Sequence, residues 1–338
     1  MVTFDWSYRL AAGAVGLLLL SLSLSLSVVA QERVEICDEV TNGILPYDNH
    51  LRGEIPIGDG EIRSNLVIAG GHETDYFKQC VFSEGNEFGW TWDKGDIDSV
   101  CAVPGQCRLP NAICSALHQL TVMGHHQGVT PWGEGHAVPG LPAEIDKLDS
   151  LVVTLPLTFT AVDETPGSPN VFYNRYGMII DIFRTNEKPV AGTSVSDTLT
   201  DEIVIFMNYN PEIGASCAED GAATWFDPIV ENAVFDGQHY YHYTGWTNQN
   251  QVGGVVANFH GFQRVGGEQP GSMPTQIDLI PFFDFLDNMW GSGAGNWLGD
   301  ILIGTEVREH TNGSVVFSAE PTYTFSPPPC SGCGCPAP

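Results

Sequence analysis

An all-β fold is what this chain predicts, and two observations carry that prediction. The 338 residues include 38 Gly and 22 Pro, a content that suits short strands joined by turns and leaves little room for long helices. Several segments alternate apolar and polar residues with period two, and only one repeats at helical spacing. Hydrophobic residues make up 43% of the chain and charged ones only 16%, so one large folded domain is expected rather than a polyacidic tail. With 13 Lys+Arg against 41 Asp+Glu the net charge is −28, which makes nucleic acid and anionic membrane surfaces poor partners.

Residues 1–30 read as a signal peptide. Arg9 precedes an apolar, Ser-rich stretch centred on Leu17–Leu20, and Val28, Val29 and Ala30 close it at a plausible cleavage site. The alternative is an uncleaved N-terminal anchor; if cleavage occurs, the protein is secreted, with no membrane association afterwards. All nine cysteines lie beyond residue 30, where an exported chain meets an oxidising compartment. Nine is odd, so at least one thiol is free or pairs with another molecule. Cys330, Cys333 and Cys335 crowd a Pro/Cys-rich tail, 326–338, which resembles half a zinc site but lacks a second half. A tail with disulfides or without order is expected there. Asn312-Gly313-Ser314 is a glycosylation acceptor and reads as a surface turn.

A single domain is expected over 31–325. Leu151–Phe159 alternates as one half-buried strand. In Tyr176–Phe183, Tyr176, Met178, Ile180 and Ile182 share one face, and Ile179, Asp181 and Phe183 the other. Asp201–Asn208 repeats the pattern, with Ile203, Ile205 and Met207 opposed to Glu202, Val204, Phe206 and Asn208. Further strands are expected at 233–243, 252–262, 301–307 and 314–324, with turn signals at Asp236-Gly237 and Asn312-Gly313. The single helix places Leu279, Phe282, Phe283, Leu286, Met289 and Trp290 on one side, with Asp278 capping its start and Pro281 in its first turn. Residues 101–141, rich in Gly, Pro and His, read as a long loop insertion pinned by disulfides.

Asp181, Glu202 and Glu306 sit inside strands among apolar neighbours, where a carboxylate normally goes to water. One such residue is commonly a solvated outer-face group; three together point to a site. Here the chain resembles glycoside hydrolase family 12. The motifs are Ile180-Asp181-Ile182-Phe183, then Asp201-Glu202-Ile203-Val204-Ile205-Phe206, then the hairpin Phe235-Asp236-Gly237-Gln238-His239-Tyr240-Tyr241-His242-Tyr243. The helix Pro281-Phe282-Phe283-Asp284-Phe285-Leu286 and finally Gly304-Thr305-Glu306 follow in the family's order. The likeness runs from about residue 148 to 325 and is faint before that.

The resemblance implies a jelly-roll β-sandwich of two antiparallel sheets with a concave substrate cleft and one short helix. It implies a retaining endo-β-1,4-glucanase with a polysaccharide substrate, no cofactor and no metal, acting as a monomer. Glu202 would be the nucleophile, Glu306 the general acid and then base, and Asp181 a hydrogen-bond partner of Glu202. A retaining site needs its two carboxyl groups about 5–5.5 Å apart, one ionised and one kept protonated by its neighbour's charge. Trp90, Trp92, Trp246, Asn49 and Phe206 are the candidate sugar-binding residues, since aromatic faces pack on pyranose rings. Two departures from the family pattern stand beside Glu202: Val204 replaces a Met, and Phe206 a Trp. An early Trp is also missing from Asp48-Asn49-His50-Leu51-Arg52-Gly53.

Other classes lack a site. His118, His125, His126 and His136 have no acidic partners at a coherent metal-binding spacing. No Gly-x-Ser-x-Gly elbow, phosphate loop or dinucleotide fingerprint is present. The competing readings are a non-catalytic carbohydrate-binding jelly roll, which would use the same aromatic cleft, and a surface adhesive protein, suggested by the Cys-rich tail and the possible anchor.

Overall fold

Alternating strands build two sheets that bury their facing sides. The computed structural model describes residues 32–44, 53–57, 60–67, 73–94, 120–129, 135–136, 141–163, 176–189, 198–210, 226–248, 256–267, 273–290, 296–307 and 311–327. In chain order the strands are β1 (Val34–Ile44), β2 (Gly53–Ile57), β3 (Gly60–Val67), β4 (Glu73–Glu84), β5 (Glu87–Lys94), β6 (Leu120–Val129) and β7 (Gly135–His136). Next come β8 (Ala143–Glu144), β9 (Ser150–Thr154), β10 (Leu157–Asp163), β11 (Tyr176–Thr185), β12 (Leu199–Asn210), β13 (Phe226–Phe235) and β14 (Gln238–Asn248). The last are β15 (Val256–Arg264), β16 (Gln276–Asp278), β17 (Trp297–Val307), β18 (Thr311–Phe317) and β19 (Thr322–Ser326), with helix α1 (Ile280–Trp290) between β16 and β17.

The smaller main sheet has the order β1-β4-β5-β18-β10, and the larger β13-β14-β15-β12-β11-β17-β6-β3-β2, with β7 beside β6 and β8 beside β17. A third sheet, β16-β9-β19, has three strands. Among the described pairings all are antiparallel except β12 with β15. This is the expected all-β jelly roll, with one α-helix among the described residues.

The inner faces are those the alternation assigns. Met178, Ile180 and Ile182 of β11, Ile203, Ile205 and Met207 of β12, and Ile301 and Ile303 of β17 all enter one core with Trp90, Val315 and Phe317 of the other sheet. Each such side chain contributes about 1.5–3 kcal/mol by leaving water. Leu279, Phe282, Phe283 and Leu286 bring α1 onto the same core. The Asp278 carboxylate accepts from the Ile280 N–H at 3.1 Å and the Leu151 N–H at 2.9 Å, so it caps the helix and ties it to β9. Met289, expected on the buried side, is 38% exposed because it falls on the last turn, beyond the packed face. At the β13–β14 hairpin Asp236 and Gly237 have φ of 50° and 75°, the positive pair that a two-residue type I′ turn requires.

Four expectations change. Leu151–Phe159 is two strands, because Pro156 has no N–H to extend a ladder: β9 joins the three-stranded sheet and β10 the smaller main sheet. The expected strand 314–324 is likewise split into β18 and β19. Asn312-Gly313 is no turn but lies inside β18, paired on both sides, with Asn312 opposite Val162 and Asp93. An acceptor asparagine within a doubly paired strand is poorly placed for glycosylation. Finally, the 101–141 segment is not loop throughout: β6 fills the place between β17 and β3. His125 and His126 are consecutive in β6. His136 is in β7, and His118 lies outside the described residues.

Of the cysteines in described residues, Cys37 and Cys80 form a disulfide joining β1 to β4, which pins the strand at the sheet's margin. The other seven lie outside the described residues.

Candidate active site

The outer side of the β11–β12 ladder, away from the shared core, carries Asp181 and Glu202. Asp181 stands opposite Val204 in β12 and Leu302 in β17, and is 8% exposed between these two buried apolar residues. Glu202 stands opposite Phe183, two positions along the strand from the Asp181–Val204 pair. Asp181 and Glu202 are therefore diagonal neighbours on one face of adjacent strands, a separation of about 7–8 Å between backbones. Glu202 is half-buried. The ladder is irregular on both sides of Asp181, with register shifts at Met178/Ile179 and Arg184/Thr185 against β12 and at Phe183/Arg184 against β17. Bulges of this kind bend a strand and re-aim its side chains.

Glu306 lies in β17 opposite Gly177. Glu202 and Glu306 therefore attach six residues apart along β11, at Phe183 and Gly177. In a flat sheet that offset is about 20 Å along the strands, against the roughly 5–5.5 Å between the carboxyl groups of a retaining pair. The residue of β17 level with Glu202 is Asp300, which is also opposite Phe183.

The aromatic candidates divide. Trp90 is fully buried and Trp92 nearly so, both in the core between the sheets. The Trp90 indole Nε1 donates to Thr305 Oγ1 at 2.9 Å and its ring lies 5.6 Å from that of Phe317, so it bridges the two sheets from inside. Trp92 packs against Phe159 at 6.1 Å and against Gly313, where a Cβ would come within 2.3 Å of the indole. Both are core residues here, not sugar platforms, because the alternation of β5 turns Phe88, Trp90 and Trp92 inward together. Trp90→Ala is expected to cost about 3–5 kcal/mol of stability through the cavity and the lost hydrogen bond, read as a lower urea midpoint.

Phe206 shares the face of Glu202 but is only 5% exposed, packed with Ile179, Val204 and Phe259. It forms the floor of this face rather than an open stacking surface. Trp246 lies in β14 opposite Asn258, and Asn49 is outside the described residues.

On the reverse of the same strands is a buried polar cluster that the motif reading missed. Asp201, one residue before Glu202 and on the core side, accepts from Thr200 Oγ1 at 2.8 Å and Asn258 Nδ2 at 3.2 Å, and lies 3.3 Å from His260 Nε2. His260 Nδ1 meets His242 Nε2 at 3.4 Å. The His242 ring stacks on Phe262 at 4.6 Å and meets the edge of Phe285 of α1 at 5.2 Å. Alongside, Arg184 pairs with Asp287 of α1 at 3.0 Å. The sequence held a signal for this cluster: Asp201 has the parity of Ile203, Ile205 and Met207, a carboxylate on a core-facing stripe.

The cluster makes stability depend on acid. Burial, reinforced by repulsion from His260, holds the His242 imidazole down to about 3 from 6.5. Burial works to raise the Asp201 carboxyl, but donors from His260, Thr200 and Asn258 outweigh it and lower it. The unfolded chain protonates His242 near pH 6.5 and the folded one does not, so this contribution is complete above pH 6.5 and is lost as pH falls toward 3. Asp201 acts in the same direction below its unfolded value. We expect about 2–3 kcal/mol of stability to disappear between pH 6.5 and 4.5. His242→Phe should flatten that decline in urea titrations at each pH.

With the geometry in place, the fold defines a class: a jelly roll of the kind found in family 12 glycoside hydrolases. A family 12 xyloglucanase from Bacillus licheniformis superposes with a TM-score of 0.53 at 15% identity, covering 86% of this chain and 100% of that one. Its ligand complex gives 0.54 at 16%, over 86% and 99%. Endoglucanase cel12A from Rhodothermus marinus gives 0.50 at 17%, over 86% and 98%. No protein-family model and no curated protein matches the sequence. At these identities the likeness is one of fold.

Proposed function

We propose that this chain is an exported, retaining endo-β-1,4-glucanase acting on internal bonds of a β-glucan such as cellulose, xyloglucan or mixed-linkage glucan. The observation that carries the reading is the placement of Asp181 and Glu202 as diagonal neighbours on one outer face of a family 12-like jelly roll. Glu202 attacks the anomeric carbon to form a glycosyl-enzyme while Glu306 protonates the leaving oxygen. Glu306 then takes a proton from the water that releases the sugar. Asp181, held in an apolar surround, orients the Glu202 carboxylate. A neutral polysaccharide needs no electrostatic steering, so the net charge of −28 does not oppose its capture. The protein works as a secreted monomer without a cofactor.

A second reading is favoured by one observation. The six-residue offset between Glu202 and Glu306 along β11 suits a carbohydrate-binding jelly roll that has lost its catalytic pair. Reducing-end and product analysis on xyloglucan, mixed-linkage glucan and carboxymethyl cellulose separates the two. The enzyme releases oligosaccharides from at least one, whereas the binding protein retains polymer and releases none.

A further inference from the structure

The junction of β12 with β15 is the parallel one among the described pairings, and parallel pairs hold slightly less well per residue. At that junction the buried Asp201 carboxylate gathers two side chains from β15, Asn258 and His260, at 3.2 and 3.3 Å. Its own strand adds the Thr200 hydroxyl, which also reaches the Arg184 carbonyl of β11 at 3.2 Å. We infer that the Asp201–His260–His242 chain is a clamp that positions Glu202: it fixes β15, β12 and β11 together at the residue immediately before the nucleophile, on the opposite side of the sheet. The inference rests on the proposed role of Glu202.

Three observations support a positioning role over general packing. The clamp sits at the start of β12, where the register with β11 slips between Arg184 and Thr185, so backbone pairing alone fixes this end less firmly. Four neighbouring elements contribute polar groups: Arg184 from β11, His242 from β14, Asn258 and His260 from β15, and Asp287 from α1 through Arg184. Asp201 and His260 are 2% and 5% exposed, and buried polar groups this well connected specify one geometry.

The test uses His260→Leu, the milder Asn258→Ala, and His260→Gln, which keeps a donor for Asp201. We expect the first two to raise amide hydrogen exchange in residues 200–203 and 258–261 at least about tenfold while β11–β17 pairing is unchanged. With the most cleavable glucan, kcat should fall about tenfold with KM within about twofold, and His260→Gln should restore most of it. Exchange that is unchanged, or that rises evenly over the sheet, overturns the clamp, and so does local loosening with an unaltered kcat. A wild-type protein inert on every glucan overturns the proposed function instead, and the exchange measurement still decides the clamp.

Discussion

Glu202→Gln is expected to abolish release of reducing ends from β-glucan, a loss of at least about a thousandfold in kcat/KM, because the amide cannot form the glycosyl-enzyme bond. Folding should be spared: Glu202 is half-buried on the outer face and contributes nothing to the core shared by the sheets. The substitution leaves side-chain size unchanged, so polymer binding should persist. Affinity electrophoresis in xyloglucan or mixed-linkage glucan, alongside the reducing-end assay, separates lost chemistry from lost binding.

Glu306→Gln should remove activity on natural glucans by a comparable factor, since an alkoxide leaving group needs the proton that Glu306 delivers. An aryl glycoside with an acidic phenol as leaving group needs no such proton, so its first bond cleavage should survive in this variant while release of the glycosyl-enzyme slows. That contrast identifies an acid/base residue and distinguishes it from one whose loss merely disturbs the strand. Full activity of Glu306→Gln on glucan would move the acid elsewhere. Asp300 is then the residue to test, because it stands level with Glu202 across Phe183, two strands away.

The face assignments of β11 and β12 were legible in the sequence because period two sets Met178, Ile180 and Ile182 against Asp181, and Ile203, Ile205 and Met207 against Glu202. Helix α1 was legible for a similar reason, with Asp278 marking its start and Leu279, Phe282, Phe283 and Leu286 its buried side. Strand β6 was not: its Gly124, His125, His126, Gln127 and Gly128 carry no apolar alternation, and its place is fixed by the neighbours β17 and β3. Pro156 divided one apparent strand because alternation continues across a residue that cannot pair. Trp90 and Trp92 were misplaced for a different reason. Periodicity tells which residues share a face, but not whether that face meets solvent or another sheet, and Thr305 as partner of Trp90 is 215 residues away in sequence.

The candidate site divides in the same way. Asp181 and Glu202 could be found from carboxylates on otherwise apolar stripes, and the structure brings them together on one face. The offset to Glu306 depends on inter-strand register, which no local pattern encodes. The Asp201–His260–His242 cluster joins three strands, two of them through a parallel junction, and its members are 41 and 18 residues apart in the chain.

The proposed double displacement turns on a covalent glycosyl-enzyme at Glu202. An activated 2-deoxy-2-fluoro-β-cello-oligosaccharide slows breakdown of that intermediate, and mass spectrometry of the digested protein then reads the labelled residue. One added glycosyl unit is expected on the peptide carrying Glu202, with none in Glu202→Gln. An active protein that acquires no label, or is labelled on another carboxylate, rules out Glu202 as the nucleophile.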